Sequence, residues 1–222
     1  NNSKKHLRYN ETIRAAKQGS RGRETRRHEP QNNTNRREEE PQVEQLEFQI
    51  LYFLQELHTP LLDGLMTAVT FLGTGGWFWI GTGLLLLAFP RTRLTGICVL
   101  ASLALGFLAG NVCLKNLAAR ARPCWLDTAV PMLVPVPKDY SFPSGHSLIG
   151  FAGAVSIWRM HPGKGIWFLA LAGLIAFSRL YLFVHFPTDV LAGAAIGTAL
   201  GYLVTAMAGK SGKYKGKGGD AI

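Results

Sequence analysis

Three things are scarce in this 222-residue sequence, and each scarcity excludes something. Cysteine occurs only at positions 98, 113 and 124. The count is odd and no pair has a metal-ligand spacing, so all three read as free thiols. Clustered carboxylates are missing from the apolar part of the chain, which leaves no oxygen-rich site for Mg²⁺ or Ca²⁺. Core-forming side chains are almost absent from residues 1–45, where Arg, Lys, Glu, Asn and Gln dominate in runs such as Arg36-Arg37-Glu38-Glu39-Glu40. Such a segment cannot bury enough surface to offset its ordering entropy. Residues 1–42 therefore read as a polar basic tail, with mixed charge supporting a helix over 9–17. The first residues are charged and carry no apolar core, so no cleavable signal peptide is expected. The net charge is +10. Interleaved glutamates and the scarcity of aromatics in the tail argue against a nucleic-acid arm. The charge reads instead as a topology signal or a contact with anionic lipid.

What the chain has, from about residue 46 to 208, is apolar runs too continuous for a soluble domain of this size. Residues 43–57 form an amphipathic pattern. Leu46, Ile50, Phe53 and Leu57 share one stripe, while Glu44, Gln45, Gln55 and Glu56 lie elsewhere. This helix is expected to lie along the bilayer surface. Residues 61–72 are apolar but short, and Gly73-Thr74-Gly75-Gly76 separates them from a second run, 77–89. These are two short spans or one irregular span. Residues 94–114, 147–158, 166–176 and 190–208 supply four more span cores. Gly193, Ala194, Gly197 and Gly201 suit tight helix packing. Trp77, Trp79, Trp125, Trp158 and Trp167 fall near span ends, as interfacial belts do. The pattern predicts an all-α polytopic membrane bundle over 43–208, with about six membrane helices plus the amphipathic one. A flexible Gly/Lys-rich tail is expected over 209–222. Six spans place the basic N-terminal tail, Arg91 and Arg93, Arg159 and Lys164, and the Lys-rich C-terminal tail on one cytoplasmic side. Five spans would put the N-terminal tail outside, so six is the preferred count.

Three polar clusters interrupt the apolar pattern. The first, 178–189, carries Ser178, Arg179, His185 and Asp189. A charge at bilayer depth costs about 2.5–3.5 kcal/mol, so such groups tend to line a site. Pro187 suits a first helical turn, leaving His185 just outside the helix and Asp189 within its first turn. That carboxylate can take the imidazole N–H and free the other nitrogen for attack. A helix-end salt bridge beside a satisfied histidine explains the same stretch equally well. The second cluster pairs Lys115 with Arg122-Pro123; by itself it is a cation at a helix end. The third, Phe142-Pro143-Ser144-Gly145-His146, reads as an anion cradle at a helix start or as an ordinary cap. Six-span topology brings all three to one outer face. Three permanent cations, two histidines, one carboxylate, a hydroxyl and helix-start amides are an inventory for phosphoryl transfer without a metal.

The spacing of these clusters resembles the three signature motifs of the type 2 phosphatidic acid phosphatase superfamily. That family includes membrane lipid phosphatases and soluble vanadium haloperoxidases, and the resemblance covers roughly residues 61–203. It implies that His185 is the nucleophile and forms a phosphohistidine, with Asp189 orienting it. It implies that His146 is the acid for the leaving group and then the base for water. Lys115, Arg122, Ser144, Gly145 and Arg179 would be the phosphate clamp. Arg120 is not a motif position and reads as substrate-entry charge. Asp139, Tyr140 and Trp125 are placed at the mouth, and His58 and His161 are taken as structural. The implied activity is metal- and cofactor-free hydrolysis of a lipid phosphate or diphosphate by a multi-pass protein of the cell membrane. The site would lie on the outer face, with both termini cytoplasmic. Undecaprenyl diphosphate is the favoured substrate, because the site faces out and a diphosphate suits three cations. Phosphatidylglycerophosphate or phosphatidate is the alternative. A non-catalytic lipid or anion transporter is the reading from a different class, and a haloperoxidase ranks lowest because those members are soluble.

Overall fold

The computed structural model of the chain describes residues 42–216. The expected basic tail, its helix over 9–17 and the last residues of the Gly/Lys-rich tail lie outside the described residues. The chain divides into two units at Glu44/Gln45. Of the first unit, Gln42–Glu44 form the opening turn of α1. Everything below concerns the second.

The described residues are helical, with no strand among them. Helix α1 (Gln42–Glu56) is followed by α2 (Pro60–Gly73), a 3₁₀ turn at Thr74–Gly76, and α3 (Trp77–Ala88). Helix α4 (Arg93–Gly106) widens into a π-helical stretch, Phe107–Leu114, and runs on into α5 (Lys115–Ala118). The short α6 (Pro123–Leu126) follows. The bundle is completed by α7 (Gly145–Met160), α8 (Pro162–Tyr181) and α9 (Pro187–Gly216). The last helix therefore continues past the end expected near residue 208.

Four stretches are long and apolar enough to cross a membrane: Pro60–Ala88, Arg93–Leu126, Pro162–Tyr181 and Pro187–Gly209. Helix α7, with 16 residues, is shorter than these four. Four such stretches are fewer than the six expected, and α2 and α3 belong to one of them. The glycine break does not turn the chain back. Asp63 accepts from Tyr181 Oη at 2.7 Å, Thr70 accepts from Arg179 at 2.5 Å, and Trp79 reaches Phe168 with ring centroids 6.3 Å apart. Contacts thus descend α8 steadily as α2 and α3 advance. The break absorbs its kink in Gly75 and Gly76, with φ of 60° and 69°, a left-handed backbone that suits glycine.

The described residues give the bundle two distinct ends. Glu47 in α1 bonds Arg120 and Thr188 beside the polar clusters. At the other end Thr95 meets His161 at 3.0 Å, and Arg159 lies 4.8 Å over the Tyr202 ring of α9. The described chain starts at the site end and leaves at the other.

Helices α7 and α9 run side by side. A Cβ on Gly193 would fall 2.5 Å from the carbonyl of Ser144, the N-cap of α7, and one on Gly197 or Gly201 would fall 2.2 or 2.9 Å from α7 atoms, the close approach the small residues predicted. Helix α1 holds its expected apolar stripe outward, with Leu46 and Phe53 at 56% and 60% exposure. Its other flank buries Glu47, Leu51, Leu54 and Gln55. Gln55, which lies off the apolar stripe, donates to the Tyr181 carbonyl at 3.0 Å. Trp79 is also corrected: it is fully buried against Gly153, not at an interface. Exposed Leu61, Leu85, Trp167 and Leu191 give the bundle an apolar outer surface, as lipid contact requires.

Candidate active site

The three polar clusters meet at one end of the bundle. Lys115 begins the single turn of α5, after the π-helical stretch. Arg122 precedes Pro123 at the start of α6, Gly145 and His146 open α7, and Arg179 lies in the last turn of α8. His185 sits in the turn between α8 and α9. That turn holds Phe183 at φ 58°, an unusual conformation for a bulky residue and one that tends to occur at functional sites. Lys115, Arg122, Gly145, His146, Arg179 and His185 line a single cavity of about 630 Å³. Ser144 and Asp189 stand behind it, both fully buried. The remaining wall is largely apolar, including Phe71, Phe107, Val134, Val136 and Ile149.

The chemistry of His185 follows from its two nitrogens. Nε2 lies 3.0 Å from Arg122 Nη1. A guanidinium only donates, so Nε2 is the accepting nitrogen and the ring proton resides on Nδ1. Nδ1 lies 3.4 Å from Ser141 Oγ, which itself donates to Asp189 Oδ2 at 2.5 Å. Asp189 Oδ2 stands 3.6 Å from Nδ1. The carboxylate therefore acts on the imidazole largely through Ser141, and the Nε2 lone pair faces the clamp. Burial, reinforced by the charges of Arg122 and Arg179, outweighs the Asp189 contact and lowers the His185 pKa to about 3. The ring is neutral and nucleophilic at neutral pH.

The clamp is built from buried cations. Arg122, 2% exposed, donates to the Asp139 carbonyl at 2.6 Å, to the Val184 carbonyl at 2.7 Å and to the Tyr140 carbonyl at 3.2 Å. Arg122 and Lys115 both bond the Asp139 carboxylate. Burial works to raise the Asp139 pKa, but the Lys115 hydrogen bond and the two cationic charges prevail and lower it to about 2. Ser144 Oγ accepts from the Ser147 N–H at 3.4 Å, capping α7, and Ser144 N–H donates to the Asp189 carbonyl at 3.0 Å. At Gly145 a Cβ would stand 3.1 Å from Asn111 Oδ1, so the glycine keeps that approach open. His146 Nε2 and Arg179 Nε are buried and have no hydrogen-bond partner among the described residues. Both residues belong to the cavity wall.

All eight motif residues are thus in one place. Trp125 donates to the Pro137 carbonyl at 3.0 Å and so pins the loop over the cavity. His58 stacks on Tyr181, and His161 meets Thr95, both away from the cavity. Arg120 does not line the cavity, contrary to the substrate-entry reading; it reaches Asp189 and Glu47. Sequence reasoning missed Ser141 and Glu47 entirely and gave Asp139 only a place at the mouth. A buried carboxylate in an amphipathic helix was the one available signal for Glu47, and it is visible only once burial is known.

With this geometry in hand, relatives are informative. The PAP2 superfamily profile matches residues 95–213, more than half of the chain. The chain is 39% identical over 144 residues to an undecaprenyl-diphosphatase of Sulfolobus acidocaldarius, covering 64% of this chain and 68% of that one. It is 30% identical over 180 residues to phosphatidylglycerophosphatase B of Bacillus subtilis, covering 72% and 82%. The crystal structure of a transmembrane PAP2-type phosphatidylglycerolphosphate phosphatase from Bacillus subtilis superposes with a TM-score of 0.64 at 27% identity, covering 78% and 89% of the two chains. The structure of Aquifex aeolicus LpxE gives 0.61 at 26%, covering 72% and 95%. A profile spanning all three clusters and most of the bundle, and a fold shared with solved members, lead to one assignment: the chain belongs to the PAP2 superfamily.

Proposed function

We propose that this chain is a membrane phosphatase that hydrolyses a lipid phosphate or diphosphate through a phosphohistidine, with undecaprenyl diphosphate as its favoured substrate. The observation that carries the reading is the fixed tautomer of His185. Its Nε2 lone pair faces Arg122, in a cavity also lined by Lys115 and Arg179. The phosphate displaces Asp139 from Lys115 and Arg122 and takes their hydrogen bonds. His185 Nε2 attacks phosphorus, the P–O bond to the leaving group breaks, and the leaving oxygen takes a proton from His146. Water then attacks phosphorus, the P–N bond breaks, the water's proton passes to His146, and inorganic phosphate departs with His185 restored. The three cations neutralise the oxygens of each transition state. No divalent ion is required, because the cavity offers cations and imidazoles, and its one carboxylate, Asp139, is paired with Lys115 and Arg122.

The apolar wall through Phe71, Phe107 and Ile149 suits a lipid chain leaving the polar end. Three cations favour a diphosphate, and the Sulfolobus acidocaldarius relative carries the matching name. Phosphatidylglycerophosphate is the second reading, favoured by the Bacillus subtilis relative. Sidedness follows from the far end of the bundle. Arg91, Arg93, Arg159 and Lys164 gather there, which the positive-inside rule makes cytoplasmic and the site external.

The test is phosphate release by purified protein in detergent from a panel of lipid mono- and diphosphates, with and without EDTA. Release that is fastest from undecaprenyl diphosphate and unchanged by EDTA is expected. Release that vanishes in EDTA and returns with Mg²⁺ would overturn the mechanism, and no release from any lipid would overturn the activity. For sidedness, Lys164→Cys in a Cys113→Ser background should be labelled only from the cytoplasmic side.

A further inference from the structure

Asp189 is held on both oxygens, and the two sets of partners differ in kind. Oδ2 accepts from Ser141 Oγ at 2.5 Å and from the Phe186 N–H at 2.9 Å, on the His185 side. Oδ1 accepts from Arg120 Nη1 at 2.7 Å. The guanidinium lies 4.2 Å over the Phe186 ring, and Nη1 also donates to Thr188 Oγ1 at 2.7 Å. Its second nitrogen, Nη2, donates to Glu47 Oε2 at 2.5 Å. Glu47 is 3% exposed. Its other oxygen accepts from the Thr188 N–H at 2.9 Å and from Thr188 Oγ1 at 2.5 Å.

Glu47 therefore does two jobs from one carboxylate. It caps the first turn of α9, the helix that carries Asp189, and it anchors the arginine that fixes the remaining oxygen of Asp189. A buried charge persists only where it is paired and hydrogen-bonded, and this chain of carboxylate, guanidinium and carboxylate is satisfied at every link. Neither Arg120 nor Glu47 lines the cavity, so neither can touch the phosphate from where it stands.

We propose that Arg120 and Glu47 are positioning residues for the reaction: they set the orientation of Asp189, and through it that of His185. The proposal rests on the phosphatase reading above. It replaces a substrate-entry role for Arg120, and it gives the amphipathic helix α1 a part in catalysis.

Three roles for Arg120 give different kinetics. A positioning residue lowers kcat and leaves KM for the lipid alone. A substrate-entry charge raises KM. A merely structural tie lowers the melting temperature and leaves both constants of the surviving fold intact. The experiment measures kcat, KM and melting temperature for the full chain in detergent, with Arg120→Gln, Arg120→Lys, Glu47→Gln, Asp189→Asn and the double variant Arg120→Gln/Asp189→Asn. Arg120→Gln should lower kcat by about 10²-fold, the scale of a displaced catalytic group, with KM within about two-fold of the wild type. Arg120→Lys should recover part of the loss. The double variant should be no slower than Asp189→Asn alone, since residues acting as one unit are not additive. Should Arg120→Gln fold poorly, Glu47→Gln carries the test: it keeps the side-chain shape and should still lower kcat at unchanged KM. An active wild type with losses that multiply in the double variant, or with a change in KM alone, would overturn this inference and leave the phosphatase reading standing. A wild type inactive on every lipid phosphate would sink both.

Discussion

His185 and His146 face the same cavity, but they are held in opposite ways. Both His185 nitrogens have neighbours, Arg122 on one side and Ser141 with Asp189 on the other. Asp189 behind it is tied to Ser141, Phe186 and Arg120. Among the described residues, His146 has no hydrogen bond on Nε2, and neither does Arg179 on Nε. What holds the His146 ring is steric: a Cβ at Gly73 would fall 2.5 Å from its Cδ2. A buried polar atom left unpaired costs about 1–3 kcal/mol, a cost tolerable where a substrate completes the bond. The difference teaches a division of labour. Under the proposed mechanism, the nucleophile is fixed before substrate arrives, and the proton donor is finished by the substrate itself.

The sharpest way to break that comparison is to delete each ring. His185→Ala removes the covalent route and should abolish turnover on every substrate, lipid or aryl phosphate. His146→Ala should cost about 10²–10⁴-fold on a lipid phosphate, the usual worth of a general acid. Its defect should shrink on p-nitrophenyl phosphate, whose leaving group departs without a proton. Rates on the two substrates, measured side by side, check both statements. A larger aryl-phosphate defect in His146→Ala than in His185→Ala would reverse the roles.

A milder probe targets the wall instead of the ring. Gly73→Ala should push the His146 ring aside and lower lipid-phosphate turnover by about 10²-fold, while sparing p-nitrophenyl phosphate. Equal losses on both substrates would show that the damage is not confined to the proton donor.

The smallest effect concerns the clamp. Asp139 holds Lys115 and Arg122, the two cations that phosphate must take. Asp139→Asn should tighten inhibition by inorganic phosphate, by no more than about five-fold for a partly exposed ion pair. Its pH signature has a definite sign. The folded-state pKa is lowered to about 2, so the stabilisation is present above the ordinary carboxylate value near 4. It is lost as pH falls from there toward about 2. Melting curves across that range should show a steeper decline in wild type than in Asp139→Asn, and parallel declines would contradict it.

The sequence exposed the motif residues because each cluster is local: Arg179, His185 and Asp189 sit within eleven consecutive positions. Polar groups among apolar runs stand out wherever the fold later puts them. The supports were hidden for the opposite reason. Glu47 and Thr188 are 141 residues apart in the chain, and nothing near either one announces the other. Ser141 carries no signal in the sequence, and its role shows only with Asp189 beside it. The break at Gly75 and Gly76 was visible, but a kink and a reversal share the same residues, so the span count stayed open. Only the contacts of Asp63, Thr70 and Trp79 down α8 decide it.

The most direct test of the account is to trap the covalent intermediate. Purified protein turning over a ³²P-labelled lipid phosphate is quenched rapidly, and the protein is examined for acid-labile, base-stable phosphate on histidine. Wild type and His146→Ala should both carry label on His185, with His146→Ala accumulating it because its water step lacks a base. His185→Ala should carry none. Phosphohistidine in His185→Ala, or label on any residue other than His185 in the wild type, would contradict the assignment of the nucleophile on which the rest of the mechanism depends.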